Sequence, residues 1–259
     1  MTELEICVDS VESAVAAELG GAQRIELCSA LAEGGLTPSL GMIRAVRSRI
    51  KIGIYAMIRP RGGDFLYSGE EFSIMREDVN AAVQAGADGI VLGLLTADGN
   101  VDVERTRELV EEARSIAPAI DITFHRAIDM ARDLPTAFED VIQTGTTRVL
   151  TSGGAPNAIL GSANIAGLVK AAKGRIGVMV CGNVREENVQ QIAQTTGAHQ
   201  FHASLRKPYP SPVTYRNPDL SLGDPGNAEY TRYAVAAQDV RNLYQAMVEA
   251  LHPASRTKH

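Results

Sequence analysis

Short apolar runs alternate with amphipathic stretches from Leu4 to Arg206. Four of the runs share one form: a Gly, two or three small or polar residues, then a strand-like segment. They occupy residues 21–28, 86–93, 145–152 and 197–204, and their starts lie 65, 59 and 52 residues apart. A helical pattern precedes each Gly, as with Val79, Ala82 and Val83 at i, i+3 and i+4, so the Gly reads as the residue that stops the helix. Further strands are expected before those helices, at 4–8, 52–58, 122–125 and 176–181. The unit is strand-helix-strand-helix, repeated fourfold. At roughly 25 residues per strand and helix this predicts an α/β protein, a single closed (β/α)8 TIM barrel over residues 4–206. An open doubly wound sheet is the runner-up, and the fourfold repeat favours closure.

The alternation of side chains along a strand then sorts the residues by face. Ile25/Leu27, Ile90/Leu92, Val149/Thr151 and Phe201/Ala203 should meet the helices. The opposite parity sends Glu26/Cys28, Val91/Gly93, Leu150/Ser152 and His202/Ser204 into the barrel, joined by Glu5/Cys7/Asp9, Tyr55/Met57/Arg59, Thr123/His125 and Met179/Cys181. Polar groups therefore gather inside, towards the C-terminal strand ends where barrels place their sites.

Beyond the repeat, residues 207–227 are rich in Pro, Ser and Asn and are expected as a lid loop over the mouth. Residues 228–251 carry Val240, Leu243, Met247 and Leu251 on one helical face. That C-terminal helix should cover the barrel wall or a neighbouring subunit. The single domain spans 1–251, and 252–259 reads as a tail.

Charge and composition narrow the partners. Lys and Arg number 25 against 31 Asp and Glu, a net charge of −6, with no Trp and no long block of one sign. A nucleic-acid or anionic-membrane partner is therefore not expected. The N-terminus has neither the basic nor the apolar region of a secretory signal. Three cysteines do not make a disulfide framework, so reduced thiols and a cytoplasmic location are the default.

The most unusual motif is Glu-x-Cys on two successive strands, Glu5-Ile6-Cys7 and Glu26-Leu27-Cys28. Parallel neighbours run about 4.8 Å apart, so the two thiols can approach each other. Thiolates select soft ions such as Cu(I) or zinc, and next to the two carboxylates the empty thiols should resist ionisation. Met57 is a third soft group by parity. The plainer reading makes Cys7 and Cys28 small buried side chains. After the third strand, Arg59, Arg61 and Asp64 surround a Pro and a Gly pair, fit either to clamp a carboxylate or phosphate or to pair Arg59 with Glu26 or Asp64. His125 ends the fifth strand as a candidate general acid/base, with Asp129 to orient it and Glu26 for the opposite task. His202 and Ser204 would line the same mouth. Asn183 reads as the N-cap of the helix after the seventh strand.

These motifs together resemble the CutC family of copper homeostasis proteins. The likeness is carried by residues 5–13, by Arg24-Ile25-Glu26-Leu27-Cys28-Ser29, by 34–39, 57–65 and 123–126, and by 148–153, with a weaker echo at 215–217. It implies a cytoplasmic, usually oligomeric (β/α)8 barrel linked to copper tolerance and trafficking, with Cys7 and Cys28 as Cu(I) ligands. The family usually has Pro-Gly-Gly-Gly after strand seven, where this chain reads Val180-Cys181-Gly182-Asn183. It often has a Cys where Ala203 stands, so strand eight offers no third thiolate. The alternative function is an enzyme acting on a small anionic metabolite, with His125, Glu26 and Asp129 as catalytic groups and Arg59, Arg61, Asp64, His202 and Ser204 holding the substrate.

Overall fold

Each apolar run forms a strand, and the strands close on themselves. The computed structural model describes residues 3–217 and 230–251. In it β1 (Glu3–Val8), β2 (Arg24–Leu27), β3 (Gly53–Met57), β4 (Gly89–Leu92), β5 (Asp121–Phe124), β6 (Arg148–Thr151), β7 (Gly177–Val180) and β8 (Gln200–Ala203) make a closed parallel barrel. Closure comes where β8 pairs with β1 and His202 lies beside Glu5. The open sheet is thereby excluded.

Between the strands run α1 (Val11–Leu19), α2 (Leu40–Arg47), α3 (Gly69–Gln84), α4 (Val103–Ile116), α5 (Leu134–Gln143), α6 (Ser162–Ala172) and α7 (Val189–Thr196). Short polar residues start many of them. Ser10, Ser39, Asp102 and Asp133 each accept from a backbone N–H of the first turn, and Ser68 with Glu71 forms a reciprocal capping box. Gly86 and Gly145 end α3 and α5 at φ +98° and +84°, a conformation that a side chain would strain.

Ile25, Leu27, Ile90, Leu92, Val149 and Phe201 are buried in the core that the strands share with the helices. Burying one such side chain contributes about 1.5–3 kcal/mol. The inward set forms two small clusters, Cys7, Cys28, Tyr55, Met57 and Val91, and Leu150, Met179 and Cys181. Below them the barrel floor is charged. Arg24 Nε donates to Glu5 Oε2 at 2.7 Å, and the Arg24 and Arg148 guanidiniums lie 4.8 and 5.6 Å from the Tyr55 ring centre. Tyr55 in turn donates to Asp121.

Two expectations past the barrel change. Residues 207–227 are not simply a loop: β9 (Lys207–Pro210) pairs antiparallel with β10 (Thr231–Ala234). Pro208 and Pro210 are tolerated because a two-stranded ribbon leaves them on an edge. None of residues 207–217 lines the mouth cavity, and Lys207 bonds Asp239 of the last helix at 2.8 Å. Residues 218–227 lie outside the described residues, as does the tail 252–259. The last helix, α8 (Ala237–Leu251), begins later than 228 because β10 precedes it. Its Val240, Leu243 and Met247 are buried against α7 and α1 of the same chain. Gly20 permits the close approach, since a Cβ there would overlap Val240. The apolar face covers the chain's own wall and supplies no argument for an oligomer.

Candidate functional site

The C-terminal strand ends open into a cavity of about 220 Å³ whose wall includes Cys7, Glu26, Met57, His125, His202 and Ser204. Cys7 leads the upper end of β1 and Cys28 follows β2, and the register sets Cys7 beside Glu26. Their sulfurs stand 4.0 Å apart, and Cys28 Sγ lies 3.6 Å from Glu26 Oε2. His202 comes from β8, on the far side of β1. Its Nδ1 is 2.7 Å from Glu5 Oε1 and its Nε2 3.9 Å from Glu26 Oε2. Among the described residues, ligand atoms of Cys7, Glu26 and His202 all fall within 4.8 Å of one another. Cys7 faces the cavity, whereas Cys28 sits behind it.

The electrostatics separate the two thiols. The hydrogen bond with Cys28 draws the Cys7 pKa down to about 5 against the cost of burial, helped by His202. The same bond, with burial, pushes Cys28 well up. The expectation that both thiols resist ionisation therefore fails for Cys7, because its hydrogen bond with Cys28 and the facing imidazolium of His202 favour its thiolate. Burial and the Cys7 charge raise Glu26. Burial alone would favour neutral His202, but Glu26, Cys7 and Glu5 outweigh it and raise the pKa. Burial also opposes the Glu5 carboxylate, yet Arg24 and His202 hold it at about 2.

The remaining candidates separate. Arg59 is buried beneath the mouth with its guanidinium donating to the carbonyls of Glu33, Gly35 and Gly63 and stacked 5.0 Å from Phe65. It pairs with neither Glu26 nor Asp64. Arg61 turns away to Glu71 and Asp64, and it does not line the mouth. Asp64 lines a wider groove of about 700 Å³, which adjoins the mouth through the shared Gly34, Arg59, Phe65 and Arg126. Asp129 accepts from Thr151, Ser152 and Gly154 and pairs with Arg126 at 2.9 Å. It does not orient His125. That role falls to the Ala127 N–H, which donates to His125 Nδ1 at 3.2 Å. Burial and the Arg59 charge hold His125 neutral, with a pKa of about 3. Asn183 does not cap α7: a turn at 185–188 intervenes, and Asn188 stands at the N-cap instead.

Sequence reading did not include Arg126 and Arg206 among the mouth residues. Arg206 continues the parity of His202 and Ser204, so one more step along that alternation reaches it. Arg126 carries no such mark, because it lies in a short 3₁₀ turn after β5.

Residues 2–207 match the sequence profile of the CutC family. A CutC family protein of Chromobacterium violaceum is 47% identical over 247 residues, which cover 95% of this chain and 98% of that one. The human copper homeostasis protein cutC homolog is 45% identical over 240 residues, covering 93% and 86%. The crystal structure of CutC from Streptococcus agalactiae superposes with a TM-score of 0.70 at 34% identity, over 78% of this chain and 98% of that one. A thiamine phosphate pyrophosphorylase from Pyrococcus furiosus, 17% identical with a TM-score of 0.57, covers 96% and 97% and shares the barrel alone. With the profile spanning the whole barrel and relatives this similar along nearly their full length, the chain belongs to the CutC family.

Proposed function

We propose that this chain serves copper homeostasis by binding Cu(I) at the barrel mouth, with Cys7 and Cys28 as its ligands. The observation that carries the reading is the 4.0 Å separation of the two sulfurs. Metal–thiolate bonds of about 2.3 Å, the zinc value, would bridge that 4.0 Å gap with an angle near 120°. A third ligand then fits, and His202 and Glu26 stand close to Cys7. Two thiolates and an imidazole suit a soft cation, whereas carboxylates alone would favour a hard one. The copper association of the human relative supports the choice of metal.

Cys7 is ionised near neutrality, but Cys28 and His202 must each lose a proton to ligate. Binding releases protons and weakens as pH falls. The three cysteines are free thiols, which suits a reducing cytoplasm. No described helix is long and apolar enough to cross a membrane.

The test is a Cu(I) competition titration against a chromophoric chelator. The expected result is tight binding by the wild type and its loss in the Cys7→Ser, Cys28→Ser double variant. Full affinity in that variant overturns the assignment.

A further inference from the structure

His125 is 4% exposed, and its ring lies 5.0 Å from Phe65, opposite the wall that carries the thiols. Its Nδ1 accepts from the Ala127 N–H, so that nitrogen bears no proton and the neutral ring carries its hydrogen on Nε2. Nε2 is buried and has no hydrogen-bond partner among the described residues. A buried donor left unsatisfied is costly, and the fold goes out of its way to hold this one. Gly93 makes room for the ring, since a Cβ there would overlap it. The His125 side chain borders the 220 Å³ cavity.

The charges around that space count to one. Arg126 pairs with Asp129 at 2.9 Å and Arg206 with Asp9 at 3.6 Å, while buried Arg24 balances Glu5 at 2.7 Å and leaves His202 to balance the Cys7 thiolate beside it. Arg59 alone among these cations is held by carbonyl oxygens and an aromatic face, with no carboxylate in ion-pair reach among the described residues. One uncompensated positive charge balances a monoanion and leaves a phosphate dianion under-neutralised. The rest of the wall includes apolar Leu31, Met57, Phe65 and Leu150.

We propose that this cavity binds a small monocarboxylate, which accepts a hydrogen bond from His125 Nε2–H under the charge of Arg59 and lays its apolar body along Phe65 and Leu150. The volume of about 220 Å³ equals roughly seven waters at ~30 Å³ each, enough for a short chain or a single ring. A longer body extends into the adjoining groove past Phe65. The carboxylate and the copper ligands share this cavity from opposite walls, because β5 stands across the barrel from β1 and β2.

The experiment is thermal denaturation and calorimetric titration of the full chain with butyrate and benzoate, with succinate and inorganic phosphate for comparison. A monocarboxylate at about a hundred times its Kd raises Tm by roughly 5 °C. Binding falls at least tenfold in His125→Phe and persists in the Cys7→Ser, Cys28→Ser variant. If His125→Phe does not fold, the wild-type imidazole ¹⁵N spectrum replaces it: the ligand shifts the Nε2 resonance and leaves Nδ1 an acceptor. The proposal is overturned if neither monocarboxylate binds, if succinate or phosphate binds as well, or if neither the variant nor the Nε2 resonance responds.

Discussion

Glu5 Oε1 stands 2.7 Å from His202 Nδ1 across the seam where β8 meets β1. The contact fixes the ring so that Nε2 turns towards Glu26 and Cys7. A carboxylate behind an imidazole is the usual means of orienting a metal-binding histidine, and its loss typically weakens metal binding 10–100-fold. Glu5→Gln should therefore lower Cu(I) affinity by about that factor in the competition titration. Unchanged affinity would remove His202 from the ligand set.

The other Glu5 oxygen holds Arg24 at 2.7 Å, with both side chains almost fully buried. Removing one partner of such a pair leaves an uncompensated charge in the barrel floor, at a cost of about 3–5 kcal/mol. Arg24→Met should lose that much stability in urea denaturation. A loss below about 1 kcal/mol would mean that Arg148 or water takes over the pairing.

His125 gives the protein an acid limit. Its pKa falls from an ordinary 6.5 to about 3 in the fold. Between those values the unfolded chain binds a proton that the folded ring refuses. Stability is therefore complete above pH 6.5 and declines as pH falls towards 3, by up to ~1.4 kcal/mol per unit. His125→Phe should flatten this slope in denaturation curves taken across the window. An equal slope in both proteins would show that His125 is not the group responsible.

The thiols should react in order. Cys7 ionises at about 5, while burial raises Cys181 and the Cys7 bond raises Cys28. Thiolate, not thiol, is the nucleophile. Brief iodoacetamide treatment at pH 7 should label Cys7 first, read by mass spectrometry of the peptides. Labelling of Cys181 ahead of Cys7 would contradict this charge distribution.

The barrel was legible because a strand alternates strictly: once Ile25 and Leu27 face the helices, Glu26 and Cys28 have no choice. The same rule carried one step back reaches Arg24 and Arg148, which are buried in the barrel floor. Their burial depends on Glu5 and Tyr55, and that pairing exists only after closure. Glu5 and His202 are neighbours across the seam but lie at opposite ends of the barrel sequence. His202 thus read as a substrate group, with nothing local to join it to Cys7. Arg61 and Asp129 misled for a different reason. They lie past the strand ends, where no period governs direction, and turn hydrogen bonds decide it.

Among the described residues, the floor of Arg24, Arg148 and Tyr55 closes one end of the barrel and the mouth opens at the other. Each of these side chains is less than 8% exposed, so whatever reaches Cys7 enters and leaves past His125 and Arg206. Loading and unloading share a path. A carboxylate lodged at His125 would act as a stopper, trapping a metal already inside and barring one that arrives later. The order of addition, and not affinity alone, would then govern how quickly the ion changes hands.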